Sequence, residues 1–468
     1  MAHESPSQYP QQLKRGLGFL GNASITLSFL TPTASLFLTA AVLLTLVGTA
    51  SFLSFAVAGV AALGMAFCFA ELGSAFPVVG GQYAVVMRVL GRPAGFVAFI
   101  LFLTLGIFTI SASSLVVGTY LKAVWPHINT RDVAWAMILV ATAVGVFGIR
   151  LNALLTGLFL LLELIVVLTV VIVGFGHVHQ PVSTLWNVHH PLDVGLSGVI
   201  SGMAIALFAY NGYDTAIVFS EETHGRRRNI AKAVLVSFFV ALVFEVAAVA
   251  ATLLGAPSLT DMVKASSPIG YTVQANSSSG LNKALSLGVA LAIFNADIAA
   301  VLAFGRVIYG SARDRAWPEP VNRWFADVHG RLRTPWIATI VLGVGCAILT
   351  AVSTIAALVT FVGVVLCVLY ALVAISALVS RFTQRELVRP YRMPVWPVPV
   401  LLGLAGASIA LSKQTGHDVG IVAAICGGAA GYYFLFLHRR AEAWRGLAPA
   451  PESAGPEEGL EPAPAVSI

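Results

Sequence analysis

Long apolar stretches, separated by short polar ones, run along almost the whole chain. Windows of about 20 apolar residues, enough to cross the roughly 30 Å hydrocarbon core of a bilayer, occur repeatedly. We number them segments 1–12: residues 23–47, 51–76, 84–120, 132–149, 152–176, 196–220, 231–256, 282–310, 335–353, 355–380, 395–412 and 419–437. The pattern predicts an all-α membrane protein of twelve transmembrane helices, with segments 3 and 8 long enough to tilt or to project from the membrane.

Two of these segments, one in each half of the chain, are interrupted by residues that disfavour a helix. The interruptions are Leu30-Thr31-Pro32-Thr33-Ala34-Ser35 in segment 1 and Phe208-Ala209-Tyr210-Asn211-Gly212 in segment 6. In a bilayer a broken helix leaves backbone amides and carbonyls unpaired, at a cost of several kcal/mol each, unless something else binds them. Paired interruptions in corresponding segments point to the substrate site of a transporter. The alternative is a pair of kinks that serve packing alone.

Composition supports the membrane class, and the absence of common catalytic motifs argues against an enzyme. Hydrophobic residues make up 58% of the 468 and charged residues 10%, whereas about a quarter of the residues of a soluble domain are charged. The HExxH, GxSxG and phosphate-loop patterns of common enzymes are absent, so we expect no catalytic residues, no cofactor and no metal site. Four histidines, His177, His179, His189 and His190, flank one loop, and we interpret them as solvated loop residues.

Charge predicts the orientation of the chain in the membrane. If both termini are cytoplasmic, 22 of the 27 Lys and Arg residues lie inside, a strong positive-inside bias. The net charge of +6 therefore reflects topology in a plasma membrane and does not indicate a nucleic-acid partner. The five cationic residues placed outside are Lys122, Arg131, Lys264, Lys283 and Lys413.

The chain divides into three regions. Residues 1–22 are a polar N-terminal segment, predicted to be cytoplasmic, and residues 23–438 form the membrane domain. Residues 439–468 end in a stretch rich in Ala, Pro and Glu, which cannot bury a core and is predicted to be a disordered cytoplasmic tail.

Five stretches resemble motifs of the amino acid–polyamine–organocation superfamily of permeases. The first is FAELGSAFPVVGGQY, residues 69–83, after segment 2. The others are residues 208–214 with 221–223 and 228–230, residues 306–314, residues 333–335 and residues 389–394. They occur in the order that the superfamily shows and span most of the chain.

The resemblance implies a fold and a mode of action. The fold is a pair of inverted repeats, about residues 23–176 and 196–380, with segments 1 and 6 discontinuous, plus segments 11 and 12 at about residues 395–437. The implied action is secondary transport of an amino acid or related amine by alternating access, around a midplane site lined by segments 1, 3, 6, 8 and 10. A polyamine or other organic-amine carrier, and a non-transporting sensor or channel on the same fold, are the alternatives. The oligomeric state does not follow.

The chemistry of the interruptions suggests how a substrate is held. The half of segment 1 after Pro32 presents its amide end, so the amides of residues 33–35 are expected to bind a carboxylate. Carbonyls at the broken end of segment 6 are expected to accept from an ammonium group, with Phe208 and Tyr210 closing over the substrate or serving ordinary packing. Relatives usually have glycine in the segment 1 interruption. Residues 31–35 contain none, which makes an amine more plausible as the substrate.

Three acidic residues fall inside predicted segments: Glu163, Glu245 and Asp297. A charge at the bilayer centre costs about 3 kcal/mol on insertion scales, so each should be protonated, paired or facing water. We expect Asp297 to bind a substrate ammonium or a coupling proton, or else to make a structural hydrogen bond. Some proton-coupled relatives have a lysine where Phe159 stands, so Glu163 is the alternative proton-carrying acid. Glu245 is expected to be structural.

Charged residues near the predicted cytoplasmic ends are interpreted as gate or loop salt bridges rather than substrate ligands, with a solvated membrane interface as the alternative. They are Glu71, Glu221, Glu222, Arg228, Arg313 and Asp314.

Overall fold

Helices in the computed structural model follow the predicted apolar segments closely. It describes residues 18–76, 81–122, 124–147, 153–218, 223, 227–332 and 334–440. Within these ranges, nine helices are long and apolar enough to cross a membrane. They coincide with segments 1–5, 7, 8, 10 and 12: Phe19–Val47, Ala50–Ala75, Arg92–Leu121, Thr130–Phe147, Leu158–Gly176, Arg228–Gly255, Ser279–Arg313, Ile355–Thr383 and Gly416–Arg440.

Three shorter apolar helices lie where segments 6, 9 and 11 were predicted. They are Gly195–Ala209, Trp336–Val352 and Val398–Ser412. The described part of the chain contains no β-strand. The protein is therefore an all-helical, multi-pass membrane protein.

The two divisions with almost no connecting loop lie where the sequence indicated. Segment 1 ends at Val47 and segment 2 begins at Ala50, with Gly48 between them at φ 57°. Segment 9 ends at Val352 and segment 10 begins at Ile355.

Segment 3 differs from its prediction as one long helix. A separate helix, Gly81–Leu90, precedes the long helix Arg92–Leu121, and Gly91 joins them at φ 91°. A left-handed glycine turns the chain between two helices, and Pro93 in the first turn suits a helix start. The apolar count over residues 84–120 could not show this turn, because a single glycine barely changes a hydropathy window.

Short helices in the connections were not predicted. They are Val182–Trp186 (a 3₁₀-helix), Leu259–Lys264, Pro268–Ala275 and Glu319–Phe325. Two of them carry a serine N-cap: Ser258 accepts from the Asp261 amide, and Ser267 accepts from the Gly270 amide at 3.0 Å.

Segment 1 occupies the interior of the bundle. It packs against segments 5, 6, 7 and 8, whereas segments 4, 5 and 12 leave much of their surface at the periphery. Irregular backbone at membrane depth is tolerated only where protein or a water-filled cavity surrounds it. The interior position of segment 1 therefore allows its interruption.

Several predictions concern residues outside those described. They are the N-terminal segment up to residue 17, Glu221 and Glu222, and the tail from residue 441.

Candidate functional site

The interruption of segment 1 centres on Thr31. The first helix ends at Leu30, Thr31 adopts a left-handed conformation with φ 48° and ψ 76°, and Pro32 starts the next turn. Residues Ser35–Ala40 then form a π-helical turn. A β-branched residue at positive φ is strained, and such strain concentrates at functional sites. Proline signalled the break in the sequence, but the strained residue is the threonine before it.

The interruption of segment 6 lies later than predicted. The helix Gly195–Ala209 includes Phe208 and Ala209, which the sequence pattern placed in the break. The chain leaves the helix at Tyr210 and resumes with Thr215–Val218. Gly212 has φ 122°, a conformation essentially restricted to glycine. The prediction was wrong here because Phe208 and Ala209, although they adjoin the break, are compatible with a buried helix.

The two interruptions lie against each other. The Ser35 hydroxyl donates to the Ala209 carbonyl at 2.8 Å, which joins segment 1 to the end of the segment 6 helix. A Cβ placed on Gly212 would lie 2.8 Å from the Leu30 Cα. The stretches Thr31–Ser35 and Phe208–Gly212 are therefore brought into one region inside the bundle. The Ser35 amide is not free, contrary to prediction, because it donates to the Thr31 carbonyl at 3.0 Å.

Tyr210 is a packing residue in this structure and does not face an open site. Its ring is fully buried against Phe55 and Phe238, and its hydroxyl donates to the Phe55 carbonyl at 3.0 Å. Of the two aromatic residues expected to close over a substrate, only Phe208 retains some exposure, at 8%.

A tyrosine pair beside the segment 6 interruption was not predicted. Tyr213 donates to the Tyr370 hydroxyl at 3.0 Å, and Tyr370 donates to the Asn211 side-chain oxygen at 3.5 Å. Both rings are fully buried. The link ties the interruption to segment 10. In the sequence, Tyr213 belongs to one of the family motifs, but nothing marks Tyr370, which lies within a uniformly apolar run, as its partner.

Glu163 lies next to the segment 1 interruption. The Thr33 hydroxyl donates to the Glu163 backbone carbonyl at 3.2 Å. The Glu163 carboxyl group is fully buried, and neither of its oxygens has a hydrogen-bond partner among the described residues.

Asp297 is held by segment 3. The Ser113 hydroxyl donates to one carboxylate oxygen, and the Ser114 hydroxyl donates to the other at 2.8 Å. Asp297 is 3% exposed. Two adjacent serines therefore hold the carboxyl group of this buried residue in place. The arrangement is compatible both with a structural role for Asp297 and with binding of a substrate ammonium group or a proton.

Glu245, for which a structural role was expected, is a buried acid of segment 7. Its carboxyl group is 1% exposed, and neither oxygen has a hydrogen-bond partner in the described part of the chain. Segment 7 packs against the π-helical turn that begins at Ser35, whose hydroxyl donates to the Ala209 carbonyl.

Two of the sequence motifs meet in a charged network at one end of the bundle. Glu71 is fully buried and accepts from Arg381 at 2.7 and 2.6 Å, from Arg389 at 2.9 Å and from the Met393 amide at 2.8 Å. Burial lowers the pKa of the Arg389 guanidinium from its ordinary value, and the Glu71 carboxylate opposes that shift. Of the two interpretations for Glu71, the salt bridge is therefore correct and the solvated interface is wrong.

The histidines of the loop before segment 6 make local contacts. His189 pairs with Asp193, a carboxylate that the sequence pattern did not single out, and His179 bonds to Asn276 at 2.7 Å. Across the described ranges, no group of three or more His, Cys, Asp or Glu side chains is arranged to hold a metal ion.

Comparison with known proteins gives consistent similarities. The family described as "Amino acid permease" matches residues 17–430. An uncharacterized transporter of Mycobacterium tuberculosis is 29% identical, covering 91% of this chain and 92% of its own. A branched-chain amino acid permease of Bacillus subtilis is 24% identical, covering 75% of this chain and 78% of its own. Cationic amino acid transporter 4 of Homo sapiens is 28% identical, and the match covers 74% of this chain and 56% of the human protein.

Proposed function

The chain belongs to the amino acid permease family of membrane transporters, and on that premise we propose that it is a secondary carrier. It moves an amino acid or a related amine across the plasma membrane by alternating access. The observation that carries the proposal is the meeting of the two interruptions, joined by the Ser35–Ala209 hydrogen bond. Paired broken helices at one depth give a polar main-chain site inside an apolar bundle.

The proposed architecture is a pair of inverted five-helix repeats, segments 1–5 and 6–10, followed by segments 11 and 12. Packing between segments supports it. In such a fold each segment of the first repeat corresponds to the segment five places later, so contacts between segments should occur in matching pairs. Segment 1 packs against segment 7, and its counterpart, segment 6, packs against segment 2. Segment 3 packs against segments 10 and 9, and its counterpart, segment 8, packs against segments 5 and 4.

The substrate is held at the interruptions in this proposal. The half-helix that begins at Pro32 directs its positive end toward the break, where the amides of Thr33 and Ala34 face an anionic or strongly polar group. The Asn211 side chain and the nearly buried ring of Phe208 supply polar and apolar contacts from segment 6. Oligomerisation is not required for this site, because one chain contributes both interruptions.

An organic amine is the second candidate for the substrate. Residues 31–35 contain no glycine, and a β-branched threonine occupies the left-handed position, so a carboxylate approaches the backbone less closely than it would past glycine. Another relative, 25% identical, is named a methylthioribose transporter of Bacillus subtilis, a substrate that is not an amino acid. Amines and a thiosugar therefore belong in any ligand screen.

Coupling to protons is proposed through the buried acids Asp297 and Glu163. An ionisable group within a bundle is favoured as a site of proton or cation binding, because an uncompensated charge there is costly. The Glu163 carboxyl group has no hydrogen-bond partner among the described residues, and the Glu163 backbone carbonyl accepts from Thr33, so this acid is placed to bind a proton beside the segment 1 interruption. Asp297 is buried and accepts hydrogen bonds from two hydroxyl groups, which hold its carboxyl group at a fixed position between segments 3 and 8.

The function is tested in two steps. Purified protein is screened by thermal shift against amino acids, polyamines and methylthioribose, since a ligand that binds the native form raises the apparent stability. Each stabilising ligand is then followed in proteoliposomes. Saturable uptake stimulated by the same ligand on the opposite side marks a carrier, whereas binding without movement marks a sensor. Flux that follows a sodium gradient and ignores a pH gradient would overturn proton coupling.

Orientation is also part of the proposal. Both termini lie in the cytoplasm, which the excess of Arg and Lys at one set of loops supports. A reporter fused after His438 is expected to be active inside the cell, and an external signal would reverse the topology.

Replacement of Asp297 by asparagine is expected to abolish proton-driven accumulation, with a loss of about tenfold or more, while ligand exchange persists. Asparagine keeps one acceptor for Ser113 or Ser114 but cannot carry the charge. The measurement is uptake with and without a pH gradient, beside Asp261→Asn, an exposed acid in a connecting helix. Unchanged uptake and pH dependence would remove Asp297 from the mechanism.

A further inference from the structure

Asn22 joins one half of segment 1 to one half of segment 6. The half of segment 1 before its interruption is the helix Phe19–Leu30, and segment 6 resumes after its interruption as the helix Thr215–Val218. The Asn22 side-chain nitrogen donates to the Ala216 carbonyl at 3.2 Å and to the Thr223 hydroxyl at 2.8 Å. One side chain of segment 1 therefore holds segment 6 and the chain that follows it at two points.

The orientation of the Asn22 amide follows from its partners. A backbone carbonyl only accepts hydrogen bonds, so the nitrogen must face Ala216. The oxygen accepts from the Thr26 hydroxyl at 3.1 Å, one turn later on the same helix. Asn22 is fully buried, and a buried amide group is costly unless its hydrogen bonds are made. The nitrogen is therefore satisfied only while the two halves stay together, or once water enters between them.

A second amide side chain holds the same half of segment 6 in place. Gln82, on the helix Gly81–Leu90, donates to the Asp214 carboxylate at 2.7 Å, and both residues are buried. Segment 2 also lies close, since a Cβ placed on Gly73 would be 2.5 Å from the Ile217 side chain. The half of segment 6 after the interruption is thus fixed to segment 2 and to the helix that follows it. The half of segment 1 is the part that is free to separate from it.

We propose that the bonds of Asn22 to Ala216 and Thr223, which we name the gate contact, close the transport path on the side of the bundle where segment 1 begins. The inference rests on the proposed carrier function and adds to it the residue that holds one side shut. The Ser35–Ala209 bond joins the other two halves, so a hydrogen bond bridges the path on each side of the site. A substrate leaves toward the start of segment 1 only after the gate contact has broken.

The interruptions allow this separation. Thr31 and Gly212 have φ angles of 48° and 122°, and non-helical positions of this kind absorb the rotation of one helix half relative to the other. The movement breaks the two bonds that Asn22 donates but keeps its bond to Thr26, which lies in the same half. Water in the opened path replaces the lost partners, so the gate contact can break and form again.

Distances between two spin labels test the gate contact in the full-length protein in liposomes. The labels are attached through Leu20→Cys, at a residue 75% exposed near the start of segment 1, and Arg323→Cys, at a side chain 78% exposed between segments 8 and 9. Cys426 is replaced by serine, because the other three native cysteines are buried. Double electron–electron resonance without substrate is expected to show that Asn22→Ala raises the population with the longer distance about tenfold, since two hydrogen bonds of the closed state are lost.

The matched control is Asn276→Ala. It also removes an amide that donates two hydrogen bonds, at 2.6 and 2.9 Å, but this amide lies in the connection between segments 7 and 8. The control is expected to keep the distances of the wild type.

A second variant protects the test against a misfolded alanine variant. Thr223→Val keeps the shape of the side chain and removes one acceptor, while the bond to Ala216 remains. The same shift is expected, reduced to about threefold. Distances that stay unchanged in both Asn22→Ala and Thr223→Val, or that change equally in Asn276→Ala, would overturn the inference.

The outcomes separate this inference from the carrier proposal, because the distances are recorded without substrate. Ligand transport with unchanged distances in the two variants would overturn the gate contact and leave the carrier standing. Longer distances in a protein that moves no ligand of the screen would support the gate contact and overturn the carrier.

Discussion

Replacement of Gly212 by alanine is expected to lower transport by about tenfold or more and to destabilise the protein. Gly212 has φ 122°, and a residue forced into such a conformation is strained by about 1–3 kcal/mol. The added Cβ would also lie 2.8 Å from the Leu30 Cα, a backbone atom that cannot rotate away. Relief requires segments 1 and 6 to separate where they form the proposed site. Each increase of about 1.4 kcal/mol in the activation free energy of transport lowers the rate about tenfold.

The measurement is ligand uptake per folded protein, together with the melting temperature. Gly310→Ala is the matched control, because Gly310 is a helical glycine of segment 8, and a Cβ added to it would have no atom within 4 Å. Alanine there is expected to be neutral or to stabilise the helix by up to about 1 kcal/mol. Wild-type uptake and melting temperature in Gly212→Ala would show that the two interruptions accept the added methyl group without cost. The close contact between Gly212 and Leu30 would then not be needed for transport.

The sequence was sufficient for features that depend on local chemistry. Apolar length located the segments, including the loop-free divisions at Gly48 and between residues 352 and 355. Pro32 and Gly212 marked the interruptions, because proline and glycine act on the backbone wherever they occur. The left-handed residue itself, Thr31, was not predictable, since a threonine adopts that conformation only when the surrounding fold imposes it.

Features that depend on neighbours in space were predicted less well. The sequence identified Glu245 as an acid within an apolar segment, but only the packing of segment 7 against segments 1 and 2 shows that its side chain is buried. Tyr210 was expected to close over a substrate or to serve ordinary packing. It packs against Phe55, because the segment 6 helix continues through Ala209 and turns the tyrosine toward segment 2.

Replacement of Glu71 by glutamine is expected to cost about 3–5 kcal/mol, the usual penalty for breaking a buried ion pair from one side. Glu71 is fully buried and satisfies Arg381, Arg389 and the Met393 amide together. A glutamine replaces one of the two acceptor oxygens by an NH₂ group, which would face an arginine or the Met393 amide, both donors, and removes the charge that balances Arg389, whose side chain is only 4% exposed. The network joins segment 2 to segment 10 and to the loop before segment 11, so all three are expected to loosen.

The matched control for this prediction is Glu319→Gln. Glu319 pairs with Arg323 at 3.6 Å, but the two side chains are 55% and 78% exposed, and an exposed pair contributes at most about 1 kcal/mol. Melting temperatures of the detergent-solubilised variants should therefore fall strongly for Glu71→Gln and hardly at all for Glu319→Gln. Equal melting temperatures would mean that the buried arginines find other acceptors. The shared motifs around Glu71 and Arg389 would then need an explanation other than stability.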